Sequence, residues 1–131
     1  MNQRGFATLE VILMVMVIGI LASIAVPRFT DVTTKANVAK IQSDLSTIDT
    51  AIAIYAMENG KDPSNWSDLE NYLQDYSNVK PPSGKAYING KATEISATAY
   101  AIQAATNNAD CRATLDGKTA GEFTTKEKSN V

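Results

Sequence analysis

The chain of 131 residues contains no histidine and one cysteine. Without histidine there is no HExxH metal site, no Ser-His-Asp triad and no Cys-His pair. A single Cys111 excludes an intrachain disulfide. It reads either as a small buried apolar residue in a strand or as an intermolecular crosslink. Clustered basic residues are missing too: Lys61, Lys80, Lys85, Lys91, Arg112 and Lys118 stand singly, in a chain of net charge -2. That pattern gives no direct nucleic-acid site. Catalytic residues, cofactors and metal ligands are therefore all assigned as none.

Charge is also missing where it matters most. From Val11 to Val26 no residue is charged, yet Glu10 stands at the head of that run. Phe6 to Val26 makes 21 residues, roughly 30 Å of helix, the thickness of a bilayer core. An ionisable side chain in such a span costs about 2.5–3.5 kcal/mol at the helix centre, less near an interface, and marks a functional site by default. The plainer reading is a first-turn acid that snorkels to the headgroups.

What surrounds Glu10 favours the functional reading. Met1 to Gly5 is too short for a secretory signal, but Arg4 carries the positive charge that keeps an N-terminus in the cytoplasm. Small Gly5 abuts large Phe6. A cut between them creates an amine of pKa about 7.7–8.0, mostly cationic at neutral pH. Glu10 lies four residues on, one helical turn away. Ser23-Ile24-Ala25 offers a competing small-x-small signal-peptidase site that would release a protein starting at Val26. The acid inside the apolar region, the length of that region and Pro27 just beyond all speak against it.

With those residues in view, the N-terminus resembles that of the type IV pilin and type II secretion pseudopilin superfamily. Its pattern is a short basic leader ending in Gly, a cut before Phe, methylation of the new amine and a Glu at the fifth mature position; Gly5, Phe6 and Glu10 match. Ala7-Thr8-Leu9 is shifted by one from the commonest family text. Gly19 and Pro27 match helix positions that soften in family filaments. The physics agrees, since Gly costs about 1 kcal/mol relative to Ala and an interior Pro removes a backbone hydrogen bond. Some relatives bind calcium in a C-terminal loop and many close a Cys pair there. Asp110, Asp116 and Glu122 form no recognisable oxygen cage and read as solvated turn acids, and Cys111 has no mate.

Beyond Pro27, Val38, Ile41, Leu45, Ile48, Ile52 and Tyr55 keep helical spacing, with Lys35, Lys40, Asp44, Thr47 and Thr50 on the other face. Glu58-Asn59-Gly60 supplies the end of a helix roughly 80 Å long from Phe6. Trp66, Leu69, Tyr72, Leu73 and Tyr76 predict a short second helix opened at Pro63-Ser64, with Ser67 and Glu70 as a capping box. Its aromatics read as core, subunit contact or a ligand platform. Pro81-Pro82-Ser83-Gly84 breaks the chain. Asn89-Gly90 and Asp116-Gly117 signal hairpin turns and Asn107-Asn108 another turn, between strands over Tyr87-Ile88, Glu94 to Thr106, Cys111 to Leu115 and up to Phe123.

The expected fold is α+β, a pilin fold: one long helix against a small antiparallel sheet of three to four strands, with one short extra helix. The expected divisions are a leader at 1–5, a transmembrane and polymerisation helix at 6–27, its amphipathic continuation at 28–60, an α/β head at 61–124 and a flexible tail at 125–131. The resemblance implies a structural subunit and no enzyme: a prepilin cut by prepilin peptidase at Gly5-Phe6, methylated on Phe6, and polymerised through a Glu10–Phe6 charge pair into a type IV pilus. A pseudopilin of a type II secretion or competence system is the alternative; a membrane-anchored binding module that forms no polymer is the remoter one. Partners implied are further copies of the chain, related minor pilins, the peptidase, an inner-membrane assembly platform, and the membrane before assembly. The implied location is the bacterial inner membrane for the precursor, then a cell-surface or envelope-spanning filament.

Overall fold

The computed structural model describes residues 3–126; Met1 and Asn2 of the expected leader, and 127–131 of the expected tail, lie outside them. Its dominant element is α1, Gln3–Asn59. Two compact units divide between Thr33 and Thr34.

The first unit is the N-terminal part of α1 alone. Its residues from Gln3 to Ile24 are all exposed, so the apolar run Val11 to Ile24 is covered by none of the described residues. An 18-residue window of this helix has a mean hydropathy of 2.7, long and apolar enough to cross a membrane. Hydroxyls return to the backbone along it: Ser23 Oγ donates to the Ile20 carbonyl at 2.7 Å and Thr30 Oγ1 to that of Val26 at 3.2 Å. Such bonds satisfy polar groups inside an apolar stretch and bend helices slightly.

In the second unit the expected stripe is the core. Ile41, Leu45 and Ile48 are fully buried, with Val38, Ala51 and Ile52 close behind. They pack with Leu69, Leu73, Ala86, Tyr100, Cys111, Ala113, Leu115 and Phe123 in one cluster. Each large apolar side chain so buried contributes about 1.5–3 kcal/mol relative to exposure. Gly60, at φ +71°, ends α1: its N–H donates to the Ala56 carbonyl at 2.9 Å, the left-handed cap that glycine takes without a Cβ clash.

Four strands lie against this helix as two separate antiparallel pairs. β1 (Lys85–Ile88) pairs with β2 (Lys91–Glu94), and β3 (Ala101–Gln103) pairs with β4 (Arg112–Thr114). Ile88 faces Lys91 across Asn89-Gly90, whose φ values of 49° and 85° are those a type I′ turn requires. Asp116-Gly117 closes the second expected turn, with Leu115 and Lys118 bridged across it, and Asn107-Asn108 the third, between Thr106 and Ala109.

Four local expectations are corrected. Trp66 to Tyr76 is a single 3₁₀ turn, Trp66–Leu69, followed by turns; Asp75 at φ 58° stops any continuation. The carboxylate that caps it is Asp68, accepting from the N–H groups of Ser64 and Asn65 at 2.9 and 3.1 Å, in place of the Ser67 and Glu70 box. Of the long strand expected over Glu94 to Thr106, Glu94 ends β2 and Ala101–Gln103 forms β3, with irregular chain between them, and Phe123 follows a 3₁₀ turn, Ala120–Glu122, instead of ending a strand.

The polar face of α1 is also not simply solvated. Asn37 Nδ2 donates to the carbonyls of Ser83 and Lys85 at 3.1 and 2.8 Å, tying down the Pro-Pro-Ser-Gly break. Asp49 accepts from the Ala113 N–H at 2.7 Å and pairs with Arg112 at 3.3 Å, fixing β4. Asp44 Oδ2 accepts from Lys40 Nζ and from the Tyr100 hydroxyl, each at 2.6 Å.

Tyr100 is buried, and burial followed by the Asp44 carboxylate pushes its phenol well above the usual tyrosine range. A folded-state value above the unfolded one, about 10, stabilises the fold below that pH, and the contribution is lost as pH rises through the folded value. Tyr100→Phe keeps the ring and removes the donor. Thermal unfolding of the full chain in detergent is expected to show a loss of about 1.5 kcal/mol at neutral pH and a smaller further loss in alkali than the parent. An unchanged melting curve would count against the bond.

Candidate functional site

The candidate site is the first two turns of α1. The helix places Gly5 and Phe6 in its opening turn and Glu10 one turn further, at the i,i+4 spacing that puts side chains about 5–6 Å apart at Cβ. Phe6 is 59 % exposed, and Glu10 is exposed as well. Glu10 heads a face whose following turns are Leu13, Met14, Val17 and Ile18. Among the described residues nothing neutralises this carboxylate at the top of its apolar ridge, and in lipid or against another apolar helix that state is costly.

Gly5 adds a second observation. A Cβ on it meets no atom within 4 Å among the described residues beyond its chain neighbours and its own helix backbone. No contact among the described residues therefore asks for a glycine here, and glycine weakens the helix by about 1 kcal/mol relative to alanine. The scissile bond expected between Gly5 and Phe6 lies inside the helix, where Thr8 Oγ1 also donates to the Arg4 carbonyl at 2.9 Å. A Cβ on Gly19 would likewise meet nothing within 4 Å among the described residues beyond its chain neighbours and its own helix backbone. The helix runs unbroken past it and past Pro27, whose missing N–H leaves the Ser23 carbonyl without its usual partner.

The residues weighed elsewhere do not converge on a second site. Cys111 is 8 % exposed and sits just before β4; burial, then Asp62 and Asp49, push its thiol up. Such a thiol is a poor nucleophile. Asp116 is mostly exposed and pairs with Lys118 at 3.9 Å, while Glu122 accepts from the Thr119 N–H at 3.0 Å. Among the described residues no three acids or thiols gather in metal-binding geometry. The aromatics pair with one another, Trp66 stacked on Tyr76 at 5.8 Å and Tyr55 edge-on to Tyr72 at 5.5 Å, and rest on the core. Sequence reasoning missed Asn37, Gln42 and Asp49 as ties between α1 and the loops; a polar residue on a helix face carries no signal of a partner tens of residues away.

The chain is 31 % identical over 86 residues to the type II secretion system core protein G of Klebsiella michiganensis, covering 66 % of this chain and 59 % of that one. It is 34 % identical over 89 residues to the core protein G of Aeromonas hydrophila, covering 68 % and 61 %. It is 38 % identical over 58 residues to the type IV narrow pilus major component PilA5 of Thermus thermophilus, covering 44 % and 50 %. The matched region thus spans between 50 % and 61 % of these relatives. No family model and no solved structure matches the chain.

Proposed function

We propose, from the premise that the chain belongs to the type IV pilin and type II secretion pseudopilin superfamily, that it is a filament subunit anchored by α1 and polymerised through it. It is a structural protein and not an enzyme, as its relatives are. The observation that carries the assembly reading is Glu10, exposed at the head of an uncovered apolar helix, one turn from Phe6 and its neighbour Gly5. Before processing, that carboxylate has no partner among the described residues. Cutting between Gly5 and Phe6 gives it one, an amine that methylation leaves cationic, within the same helix or on a staggered neighbour. Transfer of the span from lipid to a bundle of like helices exchanges one apolar medium for another, so charge pairing and close packing set the register. Gly19 and Pro27 are the positions at which the helix yields during that packing. The divisions follow: leader 1–5, span 6–27, amphipathic helix 28–60, head 61–124 and tail 125–131.

In the finer reading the product is a type IV pilus at the cell surface, assembled from the inner membrane with related minor pilins, after prepilin peptidase has acted and by way of a membrane platform. The secretion-system relatives favour a second reading, a pseudopilin whose filament stays within the envelope. Mass spectrometry of filaments sheared from cells separates them. A pilus subunit is recovered in abundance with an N-methylated Phe6 as its first residue. A pseudopilin carries the same N-terminus but stays with the cells. Intact Met1 would support a plain membrane anchor, and a first residue of Val26 a secreted protein; either overturns the proposal.

A further inference from the structure

The turn of the first hairpin is held from outside. The Asn89 N–H donates to the Glu122 carbonyl at 2.8 Å, and the Gly90 N–H donates to the Thr124 carbonyl at 2.9 Å. The segment that supplies those carbonyls, 119–124, is itself fastened. Phe123 is 1 % exposed, its carbonyl accepts from Gln42 Nε2, and the Glu122 carboxylate closes back on the Thr119 N–H. Meanwhile Asn89 Oδ1 is buried with no hydrogen-bond partner among the described residues. An Asn-Gly pair is the dipeptide most open to intramolecular attack by the backbone amide on the asparagine side chain, because glycine has no Cβ to block the approach.

We propose that Asn89 is a covalent modification site, a deamidating asparagine, kept intact by the docked segment 119–124. In the reaction the Gly90 nitrogen bonds to Asn89 Cγ, and Nδ2 leaves as ammonia, taking up the proton that the Gly90 nitrogen loses. The resulting succinimide is then opened by water at one of its two carbonyls, giving aspartate or isoaspartate. In the folded head the attacking N–H is committed to Thr124, and both turn residues are held in the left-handed region. Modification therefore proceeds from states in which 119–124 has lifted, and its rate follows their population. The product places a carboxylate where an oxygen is buried without a donor, which opposes re-docking. The change is thus one-way and loosens the C-terminal side of the head with age. It holds whether or not the chain polymerises.

The test uses the full chain in detergent micelles at mildly alkaline pH, with amide-to-acid conversion at Asn89 followed by peptide mass spectrometry. Conversion in the folded protein is expected to be about a hundredfold slower than in the same chain unfolded in urea. Gln42→Ala, which releases the Phe123 carbonyl and leaves the apolar core whole, is expected to speed conversion about fivefold. Asn89→Asp is expected to hasten hydrogen exchange at the backbone amides of the two turn positions, 89 and 90. Equal rates folded and unfolded would overturn the proposal, as would a Gln42→Ala rate equal to the parent's; unchanged exchange in Asn89→Asp would overturn the one-way step.

Discussion

Glu10→Val is expected to leave the protein in the membrane and to remove its filaments. Insertion depends on an apolar stretch, and valine only lengthens the charge-free run that begins at Val11. In the proposed assembly the bias comes from the difference between a carboxylate alone in lipid and one paired with an amine. The isolated acid costs about 2.5–3.5 kcal/mol at mid-span and somewhat less near an interface, a bias of up to about a hundredfold towards the paired state. Valine removes that bias: the variant is equally content in lipid and in a bundle. It also leaves the Phe6 amine of a neighbour unpaired. The chain's own fold does not change, since Glu10 is exposed and no ion pair among the described residues involves it. Membrane fractionation should find the variant at parental levels, and electron micrographs of sheared material should show few fibres or none. Normal fibres from Glu10→Val would refute the charge-pair account.

How much of this was legible beforehand depends on the range of the physics involved. The long helix and its buried stripe could be read because residues three and four apart report the same face whatever packs on it, and Ile41, Leu45 and Ile48 are indeed fully buried. The turns at Asn89-Gly90 and Asp116-Gly117 were legible for an equally local reason, the demand for positive φ. The Gly5, Phe6 and Glu10 spacing was legible because it is a pattern within six residues. Trp66 to Tyr76 misled because a helical spacing of aromatics is shared by a 3₁₀ turn and the loop after it, where Asp75 takes φ 58°. The strand over Glu94 to Thr106 failed because alternation survives in irregular chain when only some of its residues find a partner strand. The ties from Asn37, Gln42, Asp44 and Asp49 were out of reach: each joins α1 to a residue at least 46 positions away, and a helix face of such residues looks identical when it is merely wet.

Gly5→Val carries the largest expected effect of all, because it acts before any pairing can occur. A Cβ at this position meets nothing within 4 Å among the described residues beyond its chain neighbours and its own helix backbone, and valine is a better helix former than glycine by a few tenths of a kcal/mol. The variant should therefore insert and fold as the parent does. Whatever it loses is lost to something outside the described residues, and the expected loss is the proposed cleavage, for which a residue without a side chain stands directly before Phe6. On a gel, membranes from the variant should hold only protein of precursor length, with no mature form. Without the cut Phe6 keeps its peptide bond and offers no amine, so Glu10 stays unpaired and filaments should be absent as well. The two substitutions then act on one step. Gly5→Val combined with Glu10→Val should be no worse for assembly than Gly5→Val alone, the non-additivity expected of residues that work as a unit. Mature-length protein from Gly5→Val would show that glycine is not what the peptidase reads. Filaments from uncut protein would show that the amine is not what Glu10 needs.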